Sequence, residues 1–334
     1  MSTLNIGIVG LGTVAPLHFN GFKVNPEANI AGMTHILHGN KDNREQLQRE
    51  LHDTCQEWGI QAYDSFDDMV VDPSIDALII SSINTFHYDQ IVAALNNDKH
   101  VMVEKPVVTK TKHVDKIKKL ADEKGLKIFP SHNYVYRNAI KKAREVLASG
   151  ELGGIIQASF ICTHSLTEAQ TAGWRAKKKL LAGGVLMDQG CHLVYQALYL
   201  LGKPIKLHAF TSKRVLKQME GEDTAQVNLY YPDNSIAMLM QTWAGNAESA
   251  INGIHIVGEK NNLVITNALY LNNEKIDGDV KYEDSFANQA KAFTDYIIHD
   301  VPPLSTIDDV RDSLDIIHNA YKSAKSDVVI TLAD

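Results

Sequence analysis

Leu4-Asn5-Ile6-Gly7-Ile8-Val9-Gly10-Leu11-Gly12-Thr13-Val14-Ala15 is the stretch that decides the fold. Its first six residues are mostly apolar and read as a buried strand, a GxGxxA pattern follows without a gap, and a helix-like segment begins at Ala15. Each small residue has a physical task in that pattern. Gly10 permits the tight turn, Gly12 lets the backbone approach a pyrophosphate, and Ala15 is small enough for the helix to lie on the strand. The amides at the helix start then hold phosphate, and Pro16 falls in the first turn, where its missing donor costs little. Gly10, Gly12, Thr13, Val14 and Ala15 are therefore expected to bind a dinucleotide.

Working outward, strands and helices alternate at short spacing: strand 60–63, helix 66–71, strand 75–81, helix 87–95, strand 100–104, helix 112–124 and strand 126–129. Such alternation predicts a doubly wound parallel sheet. The second strand, 28–33, lacks the acid that would hold an adenosine ribose and is followed by Thr34 and His35. The segment 37–44 carries Lys41 and Arg44, which pair with the 2′-phosphate of NADP on one reading and are first-turn helix charges on the other. NAD and NADP both remain open, with His35 beside the ribose position. After the strand 75–81, Ser82, Asn84 and His87 stand at the edge where such sheets bind ligands; they line the ribose or cap the next helix.

The fifth strand ends as His100-Val101-Met102-Val103-Glu104-Lys105-Pro106. An acid and a base at a strand's carboxyl end stand where a ligand can reach them, and Pro106 closes the strand behind Lys105. Glu104 and Lys105 are site candidates on this reading and a solvated pair on the alternative.

After residue 130 the pattern changes. A basic amphipathic helix over 138–148 is closed by glycines, and the runs 155–163, 205–212, 224–231, 236–242, 251–257 and 262–265 follow almost without helices between them. They suit one large, mostly antiparallel sheet with an open face, and an exposed apolar face argues for an oligomer. Two domains are expected, 1–130 and 131–334, with helices over 284–298 and 306–324 at the end of the chain.

Gly183-Gly184-Val185-Leu186-Met187-Asp188-Gln189-Gly190-Cys191-His192 opens a helix running to Leu201. Asp188 and His192 are four apart and share a face. Three readings stand: half of a metal site, for which spacing offers no third ligand; a structural pair; or a catalytic histidine oriented by the aspartate. Gly183, Gly184 and Gly190 favour the last by letting backbone lie against a ligand.

The 334 residues are 44% apolar and 22% charged, with a formal net charge of -7, which offers no electrostatic footprint for nucleic acid or an anionic membrane. Cys55, Cys162 and Cys191 are odd in number and far apart, so neither a disulfide framework nor a metal motif is indicated. With no signal segment or membrane-length apolar run, a cytoplasmic location is expected and no metal is.

Taken together, GLGTVA with His18 after it, HVMVEKP, SGELGGI, Trp174-Arg175, GGVLMDQGCH, EDTAQVNLYYPDNSIAMLMQTW and the closing FANQAKAFTDYI to PPLSTIDDVRDSLDII resemble the Gfo/Idh/MocA oxidoreductases over almost the whole chain. The resemblance implies a Rossmann domain, an open-faced α/β domain that makes homodimers or homotetramers, and nicotinamide-dependent oxidation of sugars or cyclitols. It also implies that Lys105, Asp188 and His192 are the catalytic set and that Trp174 and Arg175 lie near the nicotinamide. The departures are the missing acid after the second strand, Ile83 where a proline is usual, and Val135 where an arginine is common, with Arg137 displaced from it.

The residue types suit that chemistry. His192 serves as general base toward a secondary alcohol, Lys105 stabilises negative charge on its oxygen, and Asp188 orients His192. His132, Tyr134, Arg137, His164 and Gln189 are the further candidates for hydroxyl recognition. Two other functions fit the same residues: transient use of a bound cofactor for epimerisation, elimination or deglycosylation, and a non-catalytic sensor of dinucleotide or sugar.

Overall fold

The computed structural model describes residues 3–36, 41–245, 251–277 and 281–332. The chain begins with β1 (Leu4–Val9), α1 (Ala15–Lys23), β2 (Ala28–Thr34), α2 (Lys41–Trp58), β3 (Gln61–Tyr63) and α3 (Phe66–Val71). It continues with β4 (Ala77–Ile80), α4 (His87–Asn96), β5 (His100–Val103), α5 (Thr111–Lys124) and β6 (Ile128–Pro130). The six strands pair in parallel in the order β3-β2-β1-β4-β5-β6, the doubly wound order of a dinucleotide-binding sheet. All four residues of β4 are buried, as expected of a central strand covered on both faces. Local chemistry sets the helix ends: the Ser65 hydroxyl accepts the Asp68 N–H to start α3, and Gly125, at φ 66°, ends α5.

Then come α6 (Asn138–Ala148), β7 (Ile155–Thr163), α7 (Glu168–Thr171), α8 (Lys178–Leu181), α9 (Val185–Asp188) and α10 (Gly190–Leu201). The strands β8 (Lys206–Ser212), β9 (Thr224–Tyr230), β10 (Ile236–Thr242), β11 (Gly253–Gly258), β12 (Asn262–Ile265), β13 (Leu269–Leu271) and β14 (Glu274–Lys275) follow. Helices α11 (Asp284–Ile298) and α12 (Ile307–Ser326) and the short β15 (Ile330–Thr331) close the chain. The nine-stranded sheet has the order β14-β13-β12-β11-β7-β10-β9-β8-β15 and is antiparallel except for the β10–β7 pair. In β9 and β10 buried and partly exposed residues alternate strictly, the signature of a sheet with one covered face. On the other face Gln157, Asn228, Tyr230, Ile236, Met238 and His255 line a groove of about 500 Å³.

The chain folds as two units, and their boundary corrects the expected single cut at residue 130. The first unit comprises residues 1–133 and 282–307, the second 134–281 and 308–334. Aromatic packing explains the return of α11 to the first unit. Phe293 meets Phe22 and Phe129 edge to face, with centroids 6.1 and 5.5 Å away, and Gly21 leaves room for the backbone of Phe286.

Candidate active site

In the first unit the site is made mainly of backbone. Gly10 sits at φ 123°, where an L side chain is strained, and a Cβ there would lie 2.7 Å from the Ser81 carbonyl oxygen. A Cβ on Gly12 would instead meet nothing within 4 Å, so the loop is open above it. Thr13 is exposed and Ala15 is buried where α1 starts. Val14 precedes that helix without a capping side chain, and the Ala15 N–H turns back to the Gly12 carbonyl at 3.1 Å. This open loop and uncapped helix start fit the phosphates of a dinucleotide.

The position of the missing acid has been put to structural use. Thr34 is buried and its hydroxyl donates to the Tyr63 carbonyl at 3.0 Å, while His35 Nδ1 accepts the Leu11 N–H at 3.0 Å. The His35 ring thus braces the glycine-rich loop from the end of β2. Lys41 pairs with Glu45 at 3.7 Å across one exposed helical turn, and the preceding residues 37–40 lie outside those described.

At the turn after β4, Ser82 donates to Gln90 Oε1 at 2.6 Å. Asn84 is buried in a single 3-10 turn, and its Nδ2 has no partner among the described residues. His87 departs from the expected place at a cofactor's ribose. Its ring is fully buried, with Nδ1 3.0 Å from the Pro106 carbonyl and Nε2 3.0 Å from the Ser82 carbonyl, so it ties the two ligand-edge turns together. Burial lowers its pKa, and the two carbonyls beside the ring oppose that shift.

Glu104 is not part of a solvated pair. It is buried, its Oε1 lies 2.9 Å from His18 Nε2 on α1, and its Oε2 accepts the Lys105 N–H at 3.2 Å. Lys105, partly exposed and followed by a cis peptide bond to Pro106, is therefore held at its backbone by the acid before it. His132 is buried with Nδ1 2.7 Å from the Ser305 hydroxyl. Burial, helped by the Lys105 charge, pushes its pKa down to about 3, which keeps the ring neutral.

In the second unit a cavity of about 500 Å³ gathers five expected residues, Tyr134, Arg137, His164, Gln189 and His192, between α6, α10 and the β7–β11–β12 part of the sheet. Ile140, Leu193, Ile254 and Ile265 supply an apolar wall. His192 Nδ1 lies 2.7 Å from the Tyr195 hydroxyl, which also accepts the Tyr134 N–H at 3.3 Å; the Tyr134 ring packs edge-on to the imidazole at 4.9 Å. In the tautomer with its ring proton on Nδ1, His192 donates to the Tyr195 hydroxyl. Arg137 lies over the Tyr134 ring at 5.3 Å, and burial lowers the pKa of His164.

Gln189 lines this cavity with both ends of its amide engaged: Nε2 donates to Cys162 Sγ at 2.7 Å and Oε1 accepts the Trp243 indole N–H at 2.8 Å. Asp188 and His192 do not share one continuous helix, since α9 ends at Asp188 and α10 begins at Gly190. Asp188 is buried, with its carboxylate 3.5 Å from Arg175 Nε, and that guanidinium stacks on Trp174 at 4.4 Å. Gly183, Gly184 and Gly190 face Tyr321, Glu222 and Gln241 at close range, so they serve packing within the protein rather than approach to a ligand.

Sequence reasoning missed Tyr195 and the Asn252 and Asn267 lining of the cavity. The signal for Tyr195 was its place three residues after His192 on one helix. Asn252 carried none, because its amide engages the Thr163 backbone from 89 residues away.

A doubly wound sheet with an open glycine loop in one unit and a tyrosine-braced histidine in a polar cavity of the other define a nicotinamide-dependent oxidoreductase. Two family models match: the Gfo/Idh/MocA oxidoreductase family NAD-binding Rossmann fold over residues 4–132, and the Gfo/Idh/MocA C-terminal domain over 140–264. Together they cover about three quarters of the chain, which belongs to this family.

The chain is 24% identical to the myo-inositol 2-dehydrogenase of Thermotoga maritima over 96% of each protein. It is 26% identical to the NADP-dependent scyllo-inositol 2-dehydrogenase IolW of Bacillus subtilis over 67% of this chain and 58% of that relative's length. The solved structure of levoglucosan dehydrogenase with NADH and levoglucosan superposes with a TM-score of 0.85 at 16% identity over the full length of both chains, a likeness of fold.

Proposed function

We propose that this chain transfers hydride between NAD or NADP and a secondary alcohol or ketone of a sugar, cyclitol or related polyhydroxylated ring. The observation that carries the reading is the second-unit cavity, where His192 is held by Tyr195 among polar groups suited to hydroxyls and an apolar wall suited to a ring's C–H face. The bound nicotinamide supplies the hydride acceptor or donor.

In the oxidative direction His192 Nε2 takes the hydroxyl proton, while its Nδ1 proton stays on the ring, hydrogen-bonded to the Tyr195 hydroxyl. Lys105 offsets negative charge on the substrate oxygen as hydride leaves, and Asp188 stabilises the imidazolium. For the reduction His192 returns its proton to the ketone oxygen. Gly10, Gly12, Thr13, Val14 and Ala15 hold the phosphates, with His35, Ser82, Asn84 and Glu104 supporting that end and Trp174 and Arg175 the nicotinamide end. Tyr134, Arg137, His164 and Gln189 shape the substrate pocket. The half-exposed sheet face supports assembly as a homodimer or homotetramer, and three cysteines outside any disulfide suit the cytoplasm.

The test is formation of reduced cofactor from a panel of sugars and cyclitols with NAD and NADP in parallel. Reduced cofactor from the wild type, lost in His192→Ala, supports the reading. Binding without turnover of any substrate points to a sensor, and product without net reduction points to transient use of the cofactor.

A further inference from the structure

The segment that carries Asp188 and His192 does not cap itself. Helix α9 opens at Gly184 with no local side chain on its first-turn amides, and two groups distant in sequence take them. The Glu222 carbonyl accepts the Val185 N–H at 2.9 Å, and Glu222 Oε1 accepts the Leu186 N–H at 3.0 Å. The Tyr321 hydroxyl accepts the Gly184 N–H at 3.1 Å and donates to Glu222 Oε1 at 2.7 Å. Three amides and one carboxylate are thus closed into a single network.

Both partners stand on firm ground. Tyr321 belongs to the long helix α12, and Glu222 precedes Asp223, whose buried carboxylate accepts the amides of Arg214, Val215 and Leu216 at 3.0, 2.7 and 2.9 Å. The packing leaves no slack, for a Cβ on Gly183 would strike the Tyr321 hydroxyl, one on Gly184 the Glu222 backbone, and one on Gly221 the Gly183 carbonyl. A carboxylate facing the amides of a helix start is also favoured electrostatically. Burial raises the Glu222 pKa while its hydrogen bonds oppose the rise, and burial with the neighbouring carboxylate keeps Tyr321 protonated as a donor.

We infer that Glu222 and Tyr321 are positioning residues, a remote cap that sets where the Asp188–His192 segment lies and therefore how well His192 takes a proton. The inference rests on the proposed role of His192 as base. Neither residue is assigned contact with substrate or cofactor.

The experiment compares Tyr321→Phe, Glu222→Ala and Glu222→Gln with wild type in kcat, its pH profile, affinity for NADH and NADPH, and amide exchange over residues 184–192. Tyr321→Phe is expected to lower kcat about tenfold and to displace the acidic limb of the pH profile, with cofactor affinity within about twofold of wild type. Glu222→Ala loses more, while Glu222→Gln, which keeps an acceptor oxygen, recovers most of the activity. Exchange at Gly184 and Leu186 accelerates at least about tenfold in Tyr321→Phe. Unchanged kcat and pH profile in Tyr321→Phe overturn the inference, as does a parallel loss of cofactor affinity, which marks general destabilisation. A wild type that turns over no substrate contradicts the hydride-transfer reading instead. The exchange result then decides the cap alone, and unchanged exchange overturns it.

Discussion

The glycine loop of the first unit and the His192 cavity of the second are built by opposite means. The loop is backbone: Gly10 is required by a positive φ and a carbonyl at contact distance, while the space above Gly12 is open. The cavity is side chain, drawn from α6, β7, α10, β11 and the segment after β12. A backbone-made site tolerates almost no substitution at a glycine placed like Gly10. A side-chain-made site has parts that can be exchanged, at costs set by what each group touches.

The comparison is broken most sharply at the chemistry. Lys105→Met and His192→Ala are each expected to lower kcat at least about a hundredfold, the usual effect of removing a charge stabiliser or a base, as read from steady-state rates. Near-normal turnover in both contradicts the roles proposed for them. Next comes Gly10→Ala, whose Cβ meets the Ser81 carbonyl at 2.7 Å. A fluorescence titration should show cofactor affinity lowered at least about thirtyfold, the equivalent of on the order of 2 kcal/mol of strain.

Acid offers a third test, on stability. The folded pKa of His132 is depressed to about 3, so the unfolded chain binds its proton first as pH falls below the ordinary histidine value. The stability contributed by the neutral ring is complete above about pH 6.5 and is lost between there and pH 3. Down to pH 4 the loss is about 3 kcal/mol, measurable by denaturant unfolding and reduced in His132→Gln. The smallest effect is expected at Arg137→Gln, where loss of one charged hydrogen-bond donor in the cavity raises KM about tenfold and leaves kcat within about twofold. A large fall in kcat there would mean that Arg137 takes part in the chemical step.

The same contrast explains what could be read in the sequence. The parallel sheet was legible because buried runs such as Ala77–Ile80 alternate with amphipathic helices at regular spacing, and Gly10 because its positive φ and the Ser81 carbonyl leave no place for a side chain. The open-faced sheet was legible in the period-two pattern of β9 and β10. Period alone did not reveal that α11 belongs to the first unit, since that depends on Phe293 finding Phe22 and Phe129. His87 and His132 were ambiguous in the sequence for a related reason. A polar residue at a ligand edge looks the same in sequence whether it faces the ligand or joins two turns, and only burial distinguishes them. Gly183 and Gly184 pointed to close approach correctly, but to a protein surface supplied by Glu222 and Tyr321.

The most direct measurement follows a deuterium atom. The protein is incubated with NAD or NADP and a turned-over polyol labelled on its carbinol carbons, and the products are resolved by mass spectrometry. Hydride transfer to the nicotinamide predicts one deuterium in the reduced cofactor and a ketone lacking it, with both signals lost in His192→Ala. Deuterium that remains in or returns to the sugar, with no labelled cofactor accumulating, would contradict a simple dehydrogenase.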